Sequence, residues 1–185
     1  MISEEVVTQT WQRIARSSPQ DVQRYMTQMS QEQPAILTYL LTLSDDPFNR
    51  NEMGYILFIA TVVWQTMKQS PQGLRPVPIE AVAQADEANF AFLERFLSAG
   101  EMEFDAAVVK MLEEYPEPEV LRYIIEALME EDEEEPFRDE YRGLAFVCLK
   151  TVLDALIASP APTAPGEARS GARRHRPSSW RRQGS

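Results

Sequence analysis

Tyr55-Ile56-Leu57-Phe58-Ile59-Ala60-Thr61-Val62-Val63-Trp64 is the longest strongly apolar stretch of the chain, and its assignment decides the fold. It is about half the ~20 residues that span a bilayer, so it reads as buried in protein and the chain as one without a membrane segment. Ile59, Thr61, Val62 and Val63 are β-branched, and a strand can be argued locally. The length of the surrounding segment, Asn51 to about Gln69, and the lack of a turn cluster inside it favour a central buried helix.

Start and stop signals for further helices flank it. Ser3 reads as the cap of a first helix, with Glu4 and Glu5 in its first turn and Val7, Trp11 and Ile14 as its apolar face. Ser18-Pro19-Gln20-Asp21 opens a second, whose Val22, Tyr25, Met26 and Met29 fall at i, i+3, i+4 and i+7. Pro34 opens a third, through about Ser44, before Asp45-Asp46-Pro47 breaks it. Beyond the loop Ser70 to Pro78 come helices over about Ile79 to Ser98, about Glu103 to Tyr115, one opened by Pro118, and one over about Pro136 to Ala158. The pattern predicts an all-α protein: one domain of about eight antiparallel helices over residues 1–158, with a disordered Pro/Ala/Arg-rich tail over 159–185.

A faint echo runs through the body. Pro34 to Leu41 matches Pro118 to Ile125, and both are followed by a Pro-Phe pair, Pro47-Phe48 and Pro136-Phe137. A real duplication would make two related four-helix halves, each covering the apolar face of the other. Capped amphipathic helices also resemble one another without common descent.

Charge is unevenly placed. The chain has 29 acidic and 18 basic residues, net −11, but the tail holds six arginines against one glutamate, which leaves the body at −16. Such a body repels phosphate backbones, so direct nucleic-acid binding by the folded part is not expected. The sole histidine, His175, lies in the tail, and the sole cysteine, Cys148, sits in the apolar run Leu144 to Leu149, where it reads as a small buried thiol. The acidic start Met1-Ile2-Ser3-Glu4-Glu5 lacks the pattern of a signal peptide, from which a cytoplasmic location is expected.

The strongest local feature is the run Glu130-Glu131-Asp132-Glu133-Glu134-Glu135, extended by Glu126, Asp139 and Glu140. Adjacent like charges repel, and those at a helix C-terminus oppose its dipole. A solvated loop would suffer little from this; otherwise the run is a candidate patch for a protein partner with a basic or apolar surface, or for the chain's own tail. Its spacing, without a glycine, does not fit a calcium loop. No catalytic or cofactor set stands out: there is no Glu-x-x-His pair, Gly-rich phosphate loop, nucleophile elbow or Cys/His pair. The chain is therefore expected to be no enzyme and to fold without metal or cofactor. Met26, Met29, Met53, Met67, Met111 and Met129 read as core filler ahead of an adaptable groove.

The expectation is a non-enzymatic cytoplasmic interaction or adaptor protein with an acidic helical surface; the sequence leaves its oligomeric state open. One alternative is an assembly chaperone for a maturing enzyme. Glu114-Tyr115-Pro116-Glu117-Pro118 loosely resembles the acidic Pro-containing segment of the redox-enzyme maturation chaperones, which are acidic, all-helical and of similar size, but the Asp-His pair that marks them is missing. A second alternative is an acidic nucleic-acid mimic that occupies a DNA-binding protein. Arg169, Arg173, Arg174 and Arg176 are also expected to visit the acidic run within the molecule, across a last helix that would separate the two by roughly 33 Å.

Overall fold

A computed structural model describes residues 1–44, 46–97, 109–130 and 137–160, without the side chains of 96 and 97. Among them are α1 (Glu4–Ala15), α2 (Pro19–Glu32), α3 (Pro34–Thr42), α4 (Arg50–Met67) and α5 (Ile79–Leu97), then α6 (helical at 109–114), α7 (Pro118–Met129) and α8 (Asp139–Ile157). These eight helical segments, with no strand among the described residues, make one all-α domain. The expected tail from residue 161 onward and most of the acidic run, residues 131–135, lie outside the described residues.

The apolar stretch is helical. Every residue from Ile59 to Met67 is buried, so α4 is covered on all sides as a core helix must be, and Trp64 is fully enclosed. Helix α4 packs on α1, α7 and α8; α8 packs on α5 and α7; α3 packs on α2 and α5.

Four local expectations are corrected. Ser3 occupies the cap position of α1 but makes no side-chain cap bond. The buried line of α1 is Val7, Thr10 and Ile14, whereas Trp11 is 37% exposed. Threonine reads as polar, yet the Thr10 hydroxyl donates to Val6 O (2.8 Å) and accepts from Gln69 Nε2 (2.7 Å), so the residue is buried without an unmet polar group. In α2 only Met29 is buried and Val22 is exposed, because α3 is the main partner of that helix and leaves its first turns uncovered. Among the methionines, Met129 is exposed.

The last helix starts at Asp139. Phe137 tucks its ring 6.1 Å from that of Phe48, and extended Arg138 donates its backbone N–H to Glu52 Oε1 (3.1 Å), which delays the helix. At the other end Ser159 is buried, its carbonyl accepts from Arg75 N, and Pro160 bridges to Leu74. Helix α8 thus ends just before Ser159-Pro160, as expected, and those two residues still pack on the body.

Candidate functional site

The described members of the expected acidic patch fall into two groups. Asp139 and Glu140 are exposed in the first turn of α8, where a carboxylate favours the positive helix end. Asp139 is also held by Arg142 (Nε to Oδ1, 2.9 Å), whose guanidinium reaches back to donate to the carbonyls of Leu128 and Phe137. Arg142 thereby answers the opposed dipole at the end of α7: it brings a positive charge to an orphan carbonyl there.

Glu126, exposed on α7, and Glu130, exposed at its C-cap, belong elsewhere. With Glu119, Arg122, Tyr123 and Ala127 they form one stripe, spaced i, i+3, i+4, i+7, i+8 and i+11 along α7. Facing it, Glu4, Val7, Thr8 and Trp11 form the matching stripe of α1, and the two bound a cleft of about 400 Å³. Its apolar walls are Val7, Trp11, Tyr123 and Ala127. Its charges are four carboxylates against one guanidinium, and Arg122 is already engaged by Glu119 (3.1 Å).

Tyr123 adds a hydroxyl that is buried and makes no hydrogen bond. Burial, with Tyr55 and Glu130 adding, pushes this phenol above its ordinary range, so it remains a neutral donor. A part-exposed indole in a cleft lined by carboxylates suits a flat cation: a guanidinium can stack on such a ring while its N–H groups meet the acids. The volume is at the low end of small-ligand pockets and matches one or two side chains of a longer chain laid across the helices.

Other polar groups in the body are turned on one another. Lys150 Nζ donates to Asn89 Oδ1 (2.9 Å) and Asp154 Oδ2 (2.7 Å), Asn89 Nδ2 donates to Asp154 Oδ2 (2.8 Å), and the Tyr115 hydroxyl donates to Asp154 Oδ1. This cluster ties α5 and Tyr115 to α8. Glu52, almost wholly buried, receives both Nε (2.8 Å) and a terminal nitrogen (2.6 Å) of Arg138 as well as the backbone N–H of Asn49 (2.9 Å). Those bonds, the arginine first, hold its carboxyl down to about 2. Burial pushes the Cys148 thiol up to about 11, so it is a protonated core group at neutral pH. Among the described residues no group of three or more metal-ligating side chains is assembled.

No protein-family model, no curated protein and no solved structure matches the chain. The site is therefore read from its own geometry. Sequence reasoning found two of its carboxylates, Glu126 and Glu130, and missed Glu4, Glu119, Trp11 and Tyr123. The i, i+3, i+4 stripe on α7 was a usable signal; the pairing of that stripe with α1 was not, since no local pattern states which helices become neighbours.

Proposed function

We propose that this chain is a non-enzymatic protein-interaction protein whose α1–α7 cleft takes a basic segment of a partner protein. The observation that carries the reading is the cleft itself, where two helices bring Trp11 and Tyr123 together with Glu4, Glu119, Glu126 and Glu130. Aromatic surface supplies contact area at low entropic cost, and the acids set the sign of the ligand. The closed Lys150–Asn89–Asp154–Tyr115 cluster supports a structural use for the body's polar side chains. Among the described residues no helix is long and apolar enough to cross a membrane.

Against the chaperone alternative, Glu117 of the segment Glu114 to Pro118 has a structural partner, accepting from the backbone N–H of Ile2 (2.6 Å). A nucleic-acid mimic gives no use to the indole between the acids. Titration of the isotope-labelled full chain with a synthetic peptide of alternating arginine and aromatic residues tests the reading. Backbone shifts should concentrate in residues 4–11 and 119–130, fade at high salt, and weaken severalfold in a Glu126→Gln, Glu130→Gln variant. Shifts confined to other surfaces, or no shifts, would refute it.

A further inference from the structure

We infer that the arginine-bearing segment Arg169 to Arg182 of this same chain occupies the α1–α7 cleft, so that a partner's basic segment must displace it. The inference rests on the cleft being a site for a basic segment and adds its regulation. Charge complementarity favours this occupant. The cleft lines four carboxylates with a single, already paired guanidinium, while residues 161–185 carry six arginines, one glutamate and Trp180 in a chain whose remainder is strongly acidic.

The root of the tail is also well placed. Asp154, in the last turn of α8, bonds the hydroxyl of Tyr115, and Glu119 of the cleft lies four positions after Tyr115. Pro160 lies six positions after Asp154, which, with the span of the Tyr115–Asp154 side chains, bounds the path from Pro160 to Glu119 at roughly 40 Å. Glu117, between Tyr115 and Glu119, holds Ile2, two positions before Glu4 of the other wall. Pro160 therefore sits at the end of the bundle that carries Glu4 and Glu119, whereas Glu130, which precedes the rest of the acidic run in sequence, caps the opposite end of α7. Arg173 comes thirteen residues after Pro160, a length that reaches about 45 Å when extended. A tethered segment of this length has an effective concentration on the order of millimolar at a site within its reach.

The walls themselves ask for such a ligand. Trp11 is 37% exposed next to four acids, a surface that a guanidinium covers by stacking and by charge at once.

The test uses a fluorescein-labelled synthetic copy of residues 167–185 as probe, read by anisotropy. It is titrated into the full chain and into a full-chain variant carrying Arg169→Gln, Arg173→Gln, Arg174→Gln, Arg176→Gln, Arg181→Gln and Arg182→Gln. At low salt the probe should bind the variant about tenfold more tightly than the unaltered chain, since the tethered tail no longer competes, and the difference should shrink at high salt. Adding Trp11→Ala or Glu126→Gln to the variant should weaken the probe severalfold. Equal affinity for the two chains would overturn self-occupancy and leave the cleft reading standing. Lack of binding to the variant would overturn both. Binding that ignores Trp11→Ala and Glu126→Gln would overturn the placement of the tail in this cleft.

Discussion

Glu52 shows how one residue can carry a tertiary junction that no local pattern announces. In sequence it is an acid three positions after the helix cap Asn49; in the fold it caps α4 and anchors Arg138 from the start of α8, and Arg138 also reaches Pro47 O and stacks 4.2 Å from the Tyr141 ring. The two partners are unequally placed, with side chains 2% and 38% exposed, so their loss should cost different amounts. Arg138→Ala leaves a buried carboxylate without its cation and should be the more costly of the two changes. Glu52→Gln leaves a guanidinium that can turn to water and should cost about 1–2 kcal/mol. Urea unfolding of both variants checks the order, and a larger loss for Glu52→Gln would contradict it. Because the Glu52 carboxyl is depressed to about 2 from 4.5, its contribution is present above about 4.5 and is lost as pH falls from there through about 2. The stability advantage over Arg138→Ala should accordingly narrow across that window, and a constant advantage would place the depression elsewhere. Trp64 was legible from the sequence, because apolar residues on every side of a helix leave nowhere but the core. Trp64→Ala should cost about 3–5 kcal/mol, whereas Trp64→Phe should cost much less, since its indole N–H is buried without a hydrogen bond to lose.

At the scale of the element, the cap at Ser18 was legible from a complete motif, the equally complete box of Asn49 and Glu52 was not read, and Ser3 was misread from half a motif. Ser18 accepts from Asp21 N (3.2 Å) while Asp21 Oδ2 accepts from Ser18 N (3.0 Å), a reciprocal box that Ser18-Pro19-Gln20-Asp21 spells out. Ser3 has the cap position without the bond, and the start of α1 is fixed instead by Glu117 on Ile2 N, a partner 115 positions away. Ser18→Ala should therefore cost about 1 kcal/mol and Ser3→Ala less than about 0.5 kcal/mol, by chemical denaturation; comparable losses would mean that the Ser3 hydroxyl caps α1 in solution. Apolar periodicity was a good guide to which elements are helices and a poorer guide to which residues are buried. Val22 and Trp11 fit the stripe of their own helices, but α2 has too few neighbours to cover Val22, and Thr10 takes the inward place beside Trp11. That displaced indole became a wall of the cleft, which is why the site was only half visible in the sequence.

For the whole molecule, the contacts between helices give physical content to the echo between Pro34–Leu41 and Pro118–Ile125. Exchange of α1 with α5, α3 with α7 and α4 with α8 carries the contacts α1–α4 and α1–α7 onto α5–α8 and α5–α3. Helices α3 and α7 both open with a proline after a residue in nearly the same conformation, φ −137°, ψ 58° at Gln33 and φ −128°, ψ 70° at Glu117, each outside the α region that a following proline ring disfavours. Both residues then use their side chains across the molecule: Gln33 holds Arg75 O (3.0 Å) and Val77 N (2.9 Å), and Glu117 holds Ile2 N. The match is incomplete, since α7 packs on both α4 and α8 while the main partners of α3 are α2 and α5. With or without common descent, the halves depend on each other. The first helix of each half packs on the third helix of the other, and α4 and α8 pack together with the Glu52–Arg138 bond between them, so each half leaves core surface bare when alone. A chain divided in the loop Ser70 to Pro78 should give two fragments without cooperative thermal unfolding, and mixing them should restore it. Circular dichroism melts of each fragment and of the equimolar mixture decide the matter: a cooperative transition in either fragment alone would show that half to be a self-sufficient core.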